Sequence, residues 1–233
     1  MPRPEQGSST KRLATGRSGC MDAGKMSAIH LPERCGVMLL PDCSLFPHGG
    51  LPLYIFEPRY RKMLEDALEG DCFFAVGRLL GDDLGAPADC VAEVGTIGMV
   101  RISRERKDGT SQLLLHGVMR VRFTEWHDDH DYPYASIEPV ISVFTPQNQA
   151  MAAMKTLRGA VEDAIRFLPD EVQAGVFSLI DQAEDPGLMT DIISQQFIHE
   201  PDLRQQLLEM ESISARIPLI CEFFRRISTA AEG

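Results

Sequence analysis

Phe46 to Leu64 reads FPHGGLPLYIFEPRYRKML, and its periodicity changes once along the way. From Leu51 to Phe56, apolar side chains stand on both faces of an extended segment, the composition of a strand covered on two sides. Past Glu57 the spacing turns helical. Pro58 suits a first helical position, where its missing N–H costs nothing. Tyr60, Met63, Leu64, Ala67 and Leu68 then recur at i, i+3, i+4, i+7 and i+8, and Gly70 stands where a cap would end the helix. Arg59, Arg61, Lys62, Glu65 and Asp66 fall on the solvent side, so the helix is expected to lie as a lid on a barrel end or sheet edge. Glu57 is placed to accept hydrogen bonds from the helix N–H groups. Glu57, Pro58, Arg59 and Tyr60 are therefore read as the corner between strand and helix, in preference to contacts with a ligand.

Strand signals continue on both sides of this corner, from Gly36 to about Val143. Cys72 to Leu80 reads as a buried strand, and a Gly/Asp/Pro-rich loop follows from Gly81 to Asp89. Lys107-Asp108-Gly109-Thr110 predicts a hairpin with a two-residue turn. Uninterrupted pairing outward from it places Val94, Val100, Ile102, Leu113, Leu115, Met119, Val121 and Phe123 on one face. The other face carries Arg101, Ser103, Glu105, Gln112, His116, Arg120 and Arg122, but also Ile97, Met99, Leu114 and Val118. Partial cover of this mixed face is expected, because large bare apolar patches are uncommon on monomers.

Pro146 marks a change to helical repeats. One stripe runs from Ala150 to Leu168 and stops at Pro169. A second helix is expected from Asp170 to about Gln182, and a third after Asp185-Pro186, a cap followed by a first-turn proline. A short fourth follows Pro201. The last stripe holds Ile213, Ile217, Ile220, Phe224 and Ile227, with Pro218 inside it, so that helix should begin near Ser214 or kink.

At 233 residues, with 44% apolar and 24% charged residues, the chain has the composition of a soluble globular protein. No apolar run approaches the roughly 18 residues of a membrane span. The six cysteines (Cys20, Cys35, Cys43, Cys72, Cys90, Cys221) form no C-x-x-C pair and read as free thiols of a reducing, cytoplasmic setting. Residues 1–30 are polar and aperiodic, a disordered basic tail or a start assigned too early, with Met21 or Met26 as the true first residue. Residues 1–25 hold five bases and two acids, 5 − 2 = +3, so the remainder carries −11 − 3 = −14. Gly19 to Met26 has the spacing of a phosphate loop, yet no strand precedes it and Met26 stands where Ser or Thr would hold magnesium. It is read as coincidence.

Taken together, LFPHGGLPLYIFEPRYRKMLEDAL (Leu45 to Leu68), EVGTIGMVRISRERKDGTSQLLLHGVMRVRF (Glu93 to Phe123) and YPYASIEPV (Tyr132 to Val140) resemble the N-terminal substrate-binding domain of the Lon protease family. The resemblance continues more weakly through LRQQLLEM (Leu203 to Met210) and covers about Gly36 to Ile227. It implies an α+β fold, a twisted β pseudo-barrel of the PUA-like kind over 31–145 followed by a helical subdomain over 146–229. It also implies a stand-alone relative without the ATPase and peptidase domains, with no positions for that family's catalytic residues.

Function is accordingly expected to be non-catalytic binding of unfolded or exposed apolar peptide segments, with an adaptor role in protein quality control as an extension. No cofactor is expected, and a homo-oligomer is left open. The mixed hairpin face supplies the contact set: Ile97, Met99, Leu114, Val118, Arg120 and Arg122. A nucleic-acid module is the alternative, through Arg101, Arg120 and Arg122, but the charge of −14 argues against it. A peptidase-associated role is the third reading. His127-Asp-Asp-His130-Asp131 has metal-binding residue types, but such side chains on one turn usually diverge, and no metal is expected there.

Overall fold

The computed structural model describes residues 31–81 and 85–231. The expectations for the tail, including the alternative starts and the Gly19–Met26 spacing, lie outside them. The elements follow in the order β1 (Arg34–Pro41), β2 (Gly50–Ile55), α1 (Pro58–Glu69), β3 (Phe73–Leu79), a single turn α2 (Pro87–Cys90), β4 (Val94–Glu105), β5 (Ser111–His127) and β6 (Tyr134–Pro139). A 3-10 turn at Gln147–Gln149 leads into α3 (Ala150–Ile165), α4 (Asp170–Ile180), α5 (Pro186–Phe197), α6 (Pro201–Glu209) and α7 (Ile213–Ala231). The fold is α+β, a six-stranded sheet followed by helices.

The length of β5 sets the topology. The sheet order is β2-β5-β4-β3-β1-β6, and β6 returns to pair with β5, closing five strands into a ring. Residues 111–116 of β5 pair with β2, and residues 121–127 with β6. β1 and β3 run parallel, with β2 and α1 between them in sequence. As expected, α1 is a lid: Tyr60, Met63 and Leu64 pack with Met38, Leu45, Ile55, Phe74 and Leu115. The Tyr60 hydroxyl meets both polar groups of the Leu39 backbone, accepting from N–H at 3.1 Å and facing the carbonyl at 3.3 Å.

Three local readings change. First, β2 is an edge strand: it pairs only with β5, so only Leu51, Leu53 and Ile55 turn inward, and Pro52, Tyr54 and Phe56 are open to solvent. Second, the Glu57 carboxylate accepts from Arg59 Nε at 2.9 Å and makes no cap hydrogen bond; its backbone carbonyl receives Arg61 N–H instead. A guanidinium two residues away is the stronger partner for a carboxylate. Third, the hairpin turn has three residues. Gly109 N–H donates to Arg106 C=O at 2.9 Å, Gly109 sits at φ 76°, and Arg106 N–H donates to Thr110 C=O at 2.8 Å. A side chain on Gly109 would also strike the Arg61 guanidinium lying over it.

That turn shifts the register by one residue, and two irregularities shift it again. Arg101 is extra on β4 between Val100 and Ile102, and Val118 is extra on β5 opposite the Ile97/Gly98 step. Because side-chain direction has a period of two, each extra residue exchanges the faces. Ile97 therefore points inward opposite Met119, fully buried, while Arg120 stands opposite Thr96 on the side facing the helices.

The helices begin and end close to the expected positions. Asp185 caps α5, its carboxylate accepting from Leu188 N–H at 2.9 Å, with Pro186 in the first turn. Leu157, Val161, Ile193, Leu207, Ile220 and Phe224 form the bundle core, and Phe46 and Val94 of the β part join it.

Buried arginines make this joint. Arg120 donates to both carboxylate oxygens of Asp191, at 2.8 and 2.6 Å, and through Nε to Leu208 C=O at 3.0 Å. Arg216 lies 3.4 Å from the same carboxylate and donates to Met210 C=O. Arg204 donates to the Ser194 and Ile198 carbonyls at 2.7 and 2.8 Å, and to Ser44 C=O. Apart from Ser44 C=O, in the loop between β1 and β2, these carbonyls belong to the C-terminal ends of α5 and α6, where the helix dipole favours positive charge. Desolvation, reinforced by the like charge of Arg120, pulls the Arg216 guanidinium down to about 10. The Phe46 ring lies under two of the cations, 5.7 Å from Arg120 and 5.2 Å from Arg204.

Arg120→Ala leaves Asp191 facing Arg216 alone. A loss of about 3–5 kcal/mol is expected in urea unfolding, as for breaking a buried pair. Arg158→Ala, which removes the exposed pair with Asp181, should lose under about 1 kcal/mol. Equal losses would show that the joint does not depend on its charge pair.

Candidate functional site

Around Thr96 and Arg120 the bundle packs directly on the strands. Toward the hairpin tip the cover ends, and β2 widens the open part by one strand. The paired register lays Ile102, Leu114 and Pro52 side by side across the three strands. The next row is Arg104, Gln112 and Tyr54. Tyr54 stacks on Phe56 with centroids 5.9 Å apart, lies 5.5 Å under the Arg106 guanidinium, and donates through its hydroxyl to Thr110 at 3.2 Å. Ile102 is 64% exposed, Phe56 58% and Tyr54 48%, an open apolar strip on a folded domain.

On the bundle side the strip ends at the row Met99, His116 and Gly50. The turn from Phe46 to Gly50 is fastened there, His48 N–H donating to Gly117 C=O and Gly117 N–H to Gly49 C=O, each at 2.8 Å. Gly49 lies so close to Gln195 of α5 that a side chain would displace it. Desolvation, with Arg101 and then His48 adding like charge, lowers the His116 pKa, so the imidazole is neutral at pH 7.

The six residues of the expected contact set divide. Leu114 lies in the open strip, and Met99 and Val118 are half-buried near its bundle side. Ile97 is inside the barrel, and Arg120 is spent on the joint at 3% exposure. Arg122 is held by Glu93 at 2.8 Å and Glu211 at 3.4 Å. Reasoning from sequence missed Pro52, Tyr54, Phe56 and Ile102 as surface. Pro52 was the available signal, since proline inside a strand marks an edge.

In His127 to Asp131, His127 Nε2 meets Ser136 Oγ at 2.8 Å, His130 Nδ1 meets Asp129 Oδ1 at 3.0 Å, and the His130 ring stacks on Tyr134 with centroids 4.0 Å apart. Among the described residues, no three His, Cys, Asp or Glu side chains gather around one point. Among them, too, no helix is long and apolar enough to cross a membrane.

A family model described as the ATP-dependent protease La (LON) substrate-binding domain matches residues 34–226. Lon protease of Azospirillum brasilense is 26% identical over 186 residues, covering 79% of this chain and 23% of that protein. Lon protease of Trichlorobacter lovleyi is 24% identical over 201 residues, covering 85% and 24%. The chain spans about a quarter of the length of the curated relatives it matches. Its fold is similar to the N-terminal domain of Mycobacterium avium complex Lon protease, with a TM-score of 0.67, 12% identity, and coverage of 82% of this chain and 98% of that one. It is also similar to a Lon N-terminal domain protein from Xanthomonas campestris, with a TM-score of 0.56, 17% identity, and coverage of 80% and 96%.

The thiols of the described residues are free. Burial pushes the Cys35 thiol up to about 12 and raises Cys43 and Cys221 as well, opposite to what a thiolate nucleophile requires. At pH 8 Cys35 should therefore resist iodoacetamide in the folded protein and react once the chain is unfolded. Peptide mass mapping would show this, and rapid native labelling of Cys35 would contradict its environment.

Proposed function

Since the chain belongs to the family of Lon protease substrate-binding domains, we propose that it is a binding module for exposed apolar segments of unfolded proteins. The site is the open face of β4, β5 and β2. The observation that carries this reading is the shared exposure of Ile102, Leu114, Pro52, Tyr54 and Phe56 on paired strands beside a rigid joint. Met99 and Val118 extend the face toward the helices.

The driving force is removal of apolar surface from water, about 1.5–3 kcal/mol for each large side chain fully buried. Ordering the bound segment opposes it, so useful affinity requires several contacts at once. The free edge of β2 offers backbone groups for an added strand, a second way to hold a segment whose side chains vary. The proposed role is binding without catalysis, and burial pushes the Cys35, Cys43 and Cys221 thiols toward their protonated, less nucleophilic form. An adaptor that presents captured segments to a protease or chaperone is the role such binding would serve.

The nucleic-acid reading is the weaker one. Of its three arginines, Arg120 is buried on Asp191 and Arg122 is paired with Glu93 and Glu211. Only Arg101 is left, on a chain whose net charge is −11.

Ile102→Asp and Leu114→Asp put a carboxylate where an apolar side chain must dock. Each should weaken binding of an uncharged, apolar-rich fluorescent peptide by at least about tenfold, the effect of roughly 1.4 kcal/mol, with an unchanged urea midpoint. Wild-type affinity in both variants would remove this face as the site.

A further inference from the structure

The open face has a cationic rim. Arg104 follows Ile102 by two positions on β4, and Arg106, just past the end of β4, holds its guanidinium 5.5 Å from the Tyr54 ring centroid, so both arginines lie on the side of the apolar strip. Arg101, in the irregular step beside them, is near enough to His116 to lower its pKa. No carboxylate among the described residues pairs with Arg101, Arg104 or Arg106. Four exposed arginines elsewhere are mated, Arg59 with Glu57, Arg158 with Asp181, Arg225 with Glu222 and Arg226 with Glu200, while Arg34 and Arg61 stand singly and apart from any second unpaired arginine in sequence. The contrast is not for want of acids, since residues 26–233 carry −11 − 3 = −14. Asp108 at the turn accepts from the Thr110 N–H and hydroxyl at 3.0 and 2.7 Å and feels the charge of Arg106 without forming an ion pair with it. A free guanidinium beside solvent-exposed apolar groups gains most from a ligand that brings its own carboxylate.

We infer that this face selects apolar segments carrying aspartate or glutamate among their apolar residues, and discriminates against equally apolar segments carrying lysine or arginine. The inference rests on the reading of the face as a substrate site and adds the charge of the preferred substrate. Apolar side chains would cover Ile102, Leu114 and Tyr54, while carboxylates would meet Arg104 and Arg106 from above. The acidic remainder of the domain repels the same carboxylates elsewhere and so confines them to this rim.

Three fluorescent peptides with identical apolar residues, and Glu, Gln or Lys at the intervening positions, test this by anisotropy against the full chain. The Glu peptide should bind about tenfold more tightly than the Lys peptide in low salt, with the gap narrowing at about 0.5 M salt as the rim is screened. Arg104→Glu, with its fold verified by urea midpoint, should reverse the order. If the Gln peptide binds and the Glu and Lys peptides bind equally, the charge selection is overturned while the binding role stands. If Arg104→Glu keeps the wild-type order, selection does not come from this rim and the inference fails. If no peptide binds, the binding role and the inference fall together.

Discussion

Asp191 is one buried carboxylate facing two buried guanidinium groups, Arg120 from the sheet and Arg216 from the last helix. On Coulombic grounds alone that ratio leaves positive charge stranded away from water. The carbonyls at the ends of α5 and α6 resolve it, because each helix terminus carries unsatisfied acceptors and a partial negative charge. Arg204 serves the end of α5 in the same way, and Phe46 fills the space beneath Arg120 and Arg204. The joint therefore works only if sheet, α5, α6 and α7 are all in place, which binds the barrel and the bundle into a single body.

The joint also decides which surface stays open. It draws α5 and α6 onto the Thr96–Arg120 end of β4 and β5, and Ile102 and Leu114 at the hairpin end stay exposed. The extra residues Arg101 and Val118 lie close to where covered and open halves meet. Each re-aims the side chains that follow, so one pair of strands serves a buried interface at one end and a solvent-facing strip at the other. Pro52, which lacks an N–H, is accommodated on β2 because that strand is an edge, and its aromatic neighbours Tyr54 and Phe56 stay uncovered.

Features fixed by near neighbours in sequence were legible before the structure. The Pro58 helix start, the Tyr60–Leu64 stripe and the Asp185-Pro186 cap all act within one or two turns, so local chemistry is enough to see them. The sheet register was not legible in the same way. Gly109 was recognised as a turn residue, but a glycine at positive φ fits both a two-residue and a three-residue hairpin. Nothing in Val100-Arg101-Ile102 or Gly117-Val118-Met119 announces an extra residue. Arg120 looked like a surface base because its partner lies far along the chain in Asp191, and only the tertiary fold brings them together. The candidate site was thus half visible: Leu114 came from alternation, whereas Tyr54, Phe56 and Ile102 required knowing where the helices stop.

The two sets of arginines differ in their access to dissolved ions. Mobile counterions reach Arg104 and Arg106 on the outside but are shut out from Asp191 and the side chains around it. Added salt therefore screens Arg104 and Arg106 while leaving the charge pairs that hold the sheet to the helices largely untouched. Under the proposed role, a rise in salt or a polyanion that competes for the rim would release a bound segment without unfolding the domain that held it.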